Sequence, residues 1–320
     1  MWSVPEIETL SEAIKFYLDD CLARGMSPNT IIVKRQSLNR FIEWCVTQGI
    51  NKPQEVNLEV MEGFRLYLHH YKKILDGKPL SINSQHKFLT DLKLFLRRLH
   101  RRRIVSGADF EEFEMPKCQK RLPRSVLSPE EVERIFTLPL LRGDLVGIRD
   151  RAIMEVYYAS AIRRSELVRI KLSHIDLDKH LLMIFEGKGL KDRHLPIAER
   201  ACCWIRRYLA EVRPRFIGID SNDILFLSNK GVPLHPNQVG QMVGKYVRRS
   251  GIDKPGACHL FRHAAATSML NAGADIRYVQ EMLGHADIST TQIYTHVAIG
   301  ELEKVYKRTH PAVMNKGDKS

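Results

Sequence analysis

Hydrophobic residues in the first third of the chain recur at three- and four-residue spacing, the repeat of one face of an α-helix. Helices are predicted from about Ile7 to Leu22, from Ser27-Pro28 onward, from about Leu58 to Tyr71, and from about Ser81. Ser27-Pro28 is typical of a helix start, because serine caps the first turn and proline fits its first position. Residues 1–115 are therefore predicted to form a small helical domain without a strand.

The hydrophobic pattern changes after residue 127. Ser128-Pro129-Glu130-Glu131 is a capping box that begins a new helix, and residues 150–158 have a mostly apolar helical pattern. Residues 180–185 and 193–197 read as two short strands joined by a glycine-containing turn, which predicts a β-hairpin. Helical spacing dominates the rest of the chain. The predicted fold class is mainly α with a small β-hairpin or sheet, and residues 128–320 form its mixed α+β domain.

The segment between these two domains, residues 116–127, is predicted to be a basic linker. It carries prolines and the cations Lys117, Lys120, Arg121 and Arg124, but no acidic residue. Prolines keep a linker extended, and cations let it follow a phosphate backbone. Two lobes joined in this way suggest a clamp around a DNA duplex.

The charge of the whole chain points to a polyanionic partner. Fifty Lys and Arg stand against 37 Asp and Glu, which gives a formal net charge of +13. The end of the fourth predicted helix carries a basic cluster, which consists of Arg97, Arg98, Arg101, Arg102 and Arg103. Its alternative interpretation is a solvated helix end whose cations interact with the helix dipole. The charge therefore favours a protein that binds nucleic acid over a soluble basic protein without such a partner.

Targeting and cysteine patterns indicate a cytoplasmic protein. The first residues lack the basic start and apolar run of a secretory signal, and no stretch approaches the ~20 apolar residues that span a bilayer. The six cysteines have no CxxC spacing. This pattern argues against a zinc ribbon and against a disulfide framework. We expect no membrane association and no bound metal or other cofactor.

Several side chains of the second domain are candidates for chemistry: Arg163, Lys188, His259, Arg262, His285 and Tyr294. Each has an ordinary explanation when it is taken alone. The arginines suit structural ion pairs, the lysine between two glycines suits a solvated turn, and the histidines suit helix starts. Gly187-Lys188-Gly189 also lacks the spacing of a phosphate-binding P-loop.

Together these side chains suit cleavage of a phosphodiester without metal. Arginine forks donate paired hydrogen bonds to the non-bridging oxygens and stay charged, so two of them can neutralise the charge that otherwise calls for Mg²⁺. Lysine or histidine can protonate the departing 5′ oxygen. A tyrosine, whose ordinary pKa is about 10, needs such a cationic site to become a nucleophile. Its phosphate ester conserves the bond energy, so strands can be rejoined without ATP.

The chain resembles the tyrosine recombinase (phage integrase) family, and within it the two-domain Xer-type recombinases. The segments that carry the resemblance are residues 148–167, 187–189, 259–263 and 283–297. The resemblance implies a site-specific recombinase with an N-terminal core DNA-binding domain and a C-terminal catalytic domain. It covers nearly the whole chain and is loose before residue 125.

The resemblance also implies a role for each candidate residue. Arg163 and Arg262 would bind the scissile phosphate, His259 and His285 would assist there, and Lys188 would protonate the leaving oxygen. Tyr294 would attack and form a 3′-phosphotyrosyl intermediate. Four protomers would hold two duplexes and exchange strands through a Holliday junction, with a second recombinase subunit or accessory factor where one is required. The segment 301–306 would dock on a neighbouring protomer, or pack within its own chain as an ordinary amphipathic helix.

Two positions depart from the family pattern. Ala161 stands where glycine is usual, and a positive φ there would cost alanine on the order of 1 kcal/mol. Phe261 replaces the commoner leucine between His259 and Arg262, and we expect its larger ring to be repacked.

The alternative functions are a type IB topoisomerase-like relaxing enzyme, a catalytically inactive or accessory DNA-binding protein, and a metal-dependent nuclease that uses His259 and His285.

Overall fold

The computed structural model describes residues 7–74, 76–105, 110, 112–118, 126–185, 192–219, 221, 223–254 and 256–284. The chain divides into two compact units, Met1–Lys120 and Arg121–Ser320. This division falls inside the segment 116–127, of which residues 119–125 lie outside the described part. The linker and the exact domain boundaries therefore stay predictions.

The described part of the first unit is helical. Its helices are α1 (Leu10–Ala23), α2 (Pro28–Thr47), α3 (Leu58–His70) and α4 (Ile82–Arg101), with a 3₁₀ turn at Pro53–Glu55. The side chains of Thr9, Ser27, Asn57 and Ser81 each accept a backbone N–H of the first turn. These caps satisfy amide groups that have no partner within the helix. The four predicted helices are confirmed, and their ends agree to within a few residues.

A single apolar core holds these helices together. Phe41, Phe64 and Phe95 are fully buried in it, and the rings of Phe41 and Phe64 meet edge to face at 5.1 Å. Two charged groups are buried as well, Lys34 and Asp91. Asp91 accepts from Ser37 at 2.7 Å and pairs with Lys34 at 3.3 Å. The helical periodicity thus placed a continuous apolar face on each helix, and packing these faces together gives the unit its core.

The second unit combines helices with a small sheet. Its helices are α5 (Pro129–Thr137), α6 (Leu145–Ser160), α7 (Arg164–Leu167), α8 (Glu199–Arg207), α9 (Arg213–Phe216), α10 (Pro236–Arg249), α11 (Cys258–Asn271) and α12 (Ile276–Leu283), with 3₁₀ turns at Leu140–Arg142 and Leu172–His174 and a π-helical turn at Tyr208–Val212. Ser128 forms the predicted capping box with Glu131. In the described part of the chain, no helix is long and apolar enough to cross a membrane.

The sheet has the strand order β1 (Ile175–Asp176), β2 (Leu181–Ile184) and β3 (Arg193–Pro196), and all neighbours are antiparallel. Leu182 pairs with Leu195 in the register between β2 and β3, which confirms the predicted hairpin. Strand β1 was not predicted, because two residues are too short to show an alternating pattern. The fold class, mainly α with a small sheet, is confirmed.

Two packing features fix the frame around the candidate residues. Phe261 on α11 is fully buried and stacks on Phe136 of α5, with ring centroids 5.4 Å apart. The larger ring is therefore accommodated by an aromatic neighbour. A smaller apolar cluster joins the end of α6 to α11 and α12; its buried members are Ala161, Ala265, Ala266, Leu270, Val279 and Leu283. Small alanine side chains allow these helix ends to approach closely.

Candidate active site

Arg163 lies in the sharp connection between α6 and α7. Helix α6 is followed directly by Ala161, which caps it, has φ 48° and ψ 27°, and is fully buried. This is the left-handed conformation that was considered for Ala161 from the sequence, and glycine would adopt it without strain. Arg163 then returns to an extended backbone, and its N–H donates to Oε2 of Glu166 at 2.7 Å. The turn directs the guanidinium to Glu166 and to the carbonyl of Gly284.

The carboxylate of Glu166 is shared by two guanidinium groups. Nη1 of Arg163 donates to Oε1 at 2.9 Å, while Nη1 and Nη2 of Arg193 donate to Oε1 and Oε2 at 3.2 and 2.8 Å. Burial alone would raise the pKa of Glu166, but the bonds from Arg193 and from the Arg163 backbone lower it below its ordinary value. The carboxylate is therefore ionised and fixes both arginines.

Arg262 projects from α11 toward the same place and is only 5% exposed. Its Nη1 donates to the carbonyl of Ala161, and its Nη2 donates to the carbonyl of Leu283 at 2.6 Å. The left-handed turn at Ala161 thus has a second consequence, since it presents a carbonyl to Arg262. The guanidinium connects the end of α6 to the end of α12.

Three arginines meet the carbonyl end of α12. Arg193 Nε donates to Met282 at 3.3 Å, Arg262 donates to Leu283, and Arg163 donates to Gly284. The last carbonyls of a helix have no partner within it and carry the negative end of the helix dipole, so cations are stabilised there. This arrangement gathers strong positive charge directly before His285 in the chain.

Gly284 allows the guanidinium groups of Arg163 and Arg193 to lie close to the backbone at the end of α12. It has φ 61°, and a methyl group added to it would lie 3.0 Å from Cζ of Arg193 and 3.2 Å from Nη1 of Arg163. Both distances are shorter than ordinary van der Waals contact. The glycine is therefore required by the backbone conformation and by the two guanidinium groups beside it.

His259 lies in the first turn of α11 and is largely exposed. Partial burial of the ring, followed by the positive charges of Arg262 and Arg164, lowers its pKa below the ordinary value of 6.5. The same helix carries His263, whose pKa is lowered by burial and by His259 and Arg262. His259 is therefore a neutral hydrogen-bonding group at neutral pH, unless an anion binds beside it.

Among the predicted site residues, the structure brings Arg163 and Arg262 to the carbonyl end of α12 and places His259 near Arg262. Lys188, His285 and Tyr294 lie outside the described residues, as do Lys120, Arg121 and Arg124 of the predicted linker. Their placement relative to the arginines is therefore left as a prediction.

The predicted basic cluster at the end of α4 is partly engaged within its own unit. Arg98 pairs with Asp20, and Arg102 lies 4.0 Å from the same carboxylate. Arg97 is half-buried, whereas Arg101, Arg103 and the linker residue Lys117 are exposed. Arg98 and Arg102 thus have a structural role beside any contact with DNA.

Sequence reasoning missed Glu166 and Arg193 as parts of the site. Glu166 has a local signal, because it stands three residues after Arg163 at the start of a helix, where a carboxylate can reach back to the backbone. Arg193 has no such signal. It is the first residue of a short strand, and only the folded structure shows that its side chain reaches Glu166 of α7 and the carbonyl of Met282 in α12.

The chain matches known proteins both in sequence and in fold. The model of the phage integrase family matches residues 125–301. The chain is 40% identical over 312 residues to "Tyrosine recombinase XerC 2" of Ralstonia nicotianae, which covers 97% of this chain and 88% of that relative. It is 38% identical over 292 residues to "Tyrosine recombinase XerD" of Pseudomonas putida, which covers 91% of this chain and 94% of the relative.

Solved structures show the same fold. The XerH site-specific recombinase bound to a palindromic difH substrate has a TM-score of 0.66 at 22% identity, covering 93% of this chain and 84% of that one. The Tn1549 transposon integrase in complex with a circular intermediate DNA has a TM-score of 0.71 at 18% identity, covering 93% of this chain and 99% of that one. Since the family model and both relatives cover most of its length, this chain belongs to the phage integrase family of tyrosine recombinases, which are DNA strand-transfer enzymes.

Proposed function

We propose that this chain is a site-specific DNA recombinase that cleaves and rejoins strands through Tyr294, without metal or ATP. The observation that carries the proposal is the convergence of Arg163 and Arg262 on the carbonyls that immediately precede His285. The two guanidinium groups come from separate elements, 99 residues apart (262 − 163). Such paired forks suit the non-bridging oxygens of a phosphodiester.

The proposed reaction assigns each group a balanced step. The Tyr294 hydroxyl loses its proton to solvent water as its oxygen attacks phosphorus, and the bond to the 5′ oxygen breaks. Lys188 protonates that departing oxygen, which leaves a 3′-phosphotyrosyl link and a 5′ hydroxyl. Arg163 and Arg262 hold the phosphate oxygens, with His259 and His285 as further donors. Attack of a 5′ hydroxyl from the partner strand reverses these steps and releases Tyr294.

The substrate of this reaction is double-stranded DNA at a specific site, and the assembly is a homotetramer on two such sites. One support is the lambda integrase, a fold relative whose solved structures include a dimer bound to a core site and a tetramer bound to a Holliday junction. The other is the net charge of +13, which favours a polyanion. A second recombinase subunit or accessory factor completes the assembly where the homotetramer alone is inactive. We place the reaction at the nucleoid in the cytoplasm, where free thiols such as Cys118 and Cys203 stay reduced.

The direct test is formation of a covalent adduct. Nicked duplex fragments from DNA flanking the protein's own gene are incubated with the protein in EDTA, and an SDS-resistant, protease-sensitive adduct is sought. Tyr294→Phe is the control, and it should bind the site without forming an adduct. The position of the adduct also locates the recombination site.

Other results would favour the alternatives. Identical DNA behaviour of the parent and Tyr294→Phe would indicate an accessory DNA-binding protein. Relaxation of supercoiled plasmid at any sequence would indicate a topoisomerase-like enzyme, and cleavage that EDTA abolishes would indicate a metal-dependent nuclease. Each of these outcomes would overturn the proposal.

A further inference from the structure

Within the described residues, the side chain of Arg193 donates to Glu166 and to the carbonyl of Met282, although the residue belongs to the sheet. Its side chain is 9% exposed and that of Glu166 is 6% exposed. A buried ion pair of this kind gains little net stability, because both charges lose their water. Its strict geometry therefore calls for an explanation other than stability.

The geometry of the Glu166 carboxylate supplies one. Arg193 contacts both oxygens with its two terminal nitrogens, at 3.2 and 2.8 Å, in the paired manner of a guanidinium and a carboxylate. Arg163 then makes a single side-chain bond to the same carboxylate, at 2.9 Å. If Arg193 were absent, Glu166 could take the paired arrangement with Arg163 instead. The Arg163 fork would then be turned toward Glu166 and away from a substrate phosphate.

The contacts of Arg193 also join three separate elements. It begins β3, it pairs with Glu166 in α7, and its Nε donates to the carbonyl of Met282 at the end of α12. Next to that carbonyl, Gly284 leaves room for both guanidinium groups. Arg193 thus links α7 to the end of α12. Arg163 lies between these two elements.

We propose that Arg193 is a positioning residue for the phosphate-binding arginine Arg163, acting through Glu166 and the carbonyl end of α12. The proposal rests on the proposed function, because it assumes that Arg163 neutralises the scissile phosphate. In this proposal Arg193 acts on the position of Arg163 and not on the substrate directly. Replacing Arg193 should therefore slow the reaction when the scissile phosphate carries its full charge, and much less when that charge is removed.

The test compares two linkages at the site located by the adduct experiment: the natural phosphodiester and a methylphosphonate, whose neutral group lacks one charged oxygen. The variants are Arg193→Gln and Arg163→Ala. The matched control is Arg151→Gln, because Arg151 forms a similarly buried pair with Glu155, at 3.0 and 2.7 Å, in the same unit. Thermal unfolding and binding to the site are measured for each variant.

On the phosphodiester, Arg193→Gln should form adduct about 10- to 100-fold more slowly than Arg151→Gln, as expected for a displaced catalytic group. On the methylphosphonate, most of that deficit should disappear, as it should for Arg163→Ala. Binding to the site should change little. Arg193→Lys, which keeps the charge but cannot make the paired contact, should show the same linkage dependence and serves in place of Arg193→Gln if that variant does not fold.

Two results would overturn the inference alone, provided that the parent forms adduct. One is an unchanged rate in the Arg193 variants. The other is an equal loss on both linkages, which would indicate general structural damage. Absence of adduct from the parent on the natural phosphodiester would instead overturn the proposed function, and this inference with it.

Discussion

Replacing Gly284 by alanine should damage catalysis far more than stability. At φ 61°, alanine costs about 1–2 kcal/mol, of which ~0.4–1 kcal/mol is offset because alanine reduces the freedom of the unfolded chain. The added methyl group would also lie 3.0 Å from Arg193 and 3.2 Å from Arg163. Both guanidinium groups must then shift by a few tenths of an ångström. We expect the rate of adduct formation to fall on the order of tenfold or more, since small misplacements of catalytic groups have such effects.

Gly251→Ala is the matched control for this change. Gly251 has φ 71° and a methyl group added to it would meet nothing within 4 Å, so the substitution carries the backbone cost without the displacement. The melting temperature of the second unit should fall by about 2–4 °C in the control, for a loss near 1 kcal/mol. Gly284→Ala should lose somewhat more.

The assay is the rate of adduct formation on the nicked substrate, with unfolding followed in the same preparations. Equal adduct rates for Gly284→Ala and Gly251→Ala would refute the reasoning. Equal rates would mean that displacement of the Arg163 and Arg193 guanidinium groups does not affect the reaction. Their hydrogen bonds to the end of α12 would then have no part in it.

Three further predictions follow from the site. Arg163→Lys should slow adduct formation at least ~100-fold, because lysine cannot reproduce the guanidinium fork; a fully active variant would show that Arg163 does not bind the phosphate. Ala161→Gly should change the free energy of unfolding by less than about 1 kcal/mol, because relief of the left-handed backbone opposes loss of a buried methyl group, about 0.8 kcal/mol; a larger change in denaturant melts would contradict this balance. An NMR titration should find the pKa of His259 below 6.5. Because the unfolded chain then binds more protons, the contribution of His259 to stability is complete above about pH 6.5 and is lost as the pH falls through the folded pKa; a pKa above 6.5 would contradict the environment described for this ring.

Much of the helical framework could be predicted because its signals are local. Ser27, Ser81 and Ser128 each accept an N–H from the residue three positions later, and such caps depend only on neighbours in the chain. The hairpin between β2 and β3 could be predicted for the same reason. The two-residue strand β1 could not, since it exists only because β2 lies beside it.

The candidate site shows the same division between local and distant determinants. The residue types at 163, 259 and 262 predicted phosphate chemistry from their donors and charges alone, and the connection at Ala161 could be suspected of a positive φ. The residues that hold these groups could not be found in this way. The paired contact of Arg193 with Glu166 spans 27 residues, and the bond from Arg163 to Gly284 spans 121.

The sequence by itself therefore determined the class of fold and the starts of several helices, and it predicted the chemical character of the site. Only the tertiary structure decided which guanidinium groups share a carboxylate and which carbonyls they meet. The physical reason is that a cap or a turn is satisfied by residues a few positions away. A buried guanidinium instead needs acceptors on several sides, and these come together only when α6, α7, α11, α12 and the sheet have packed.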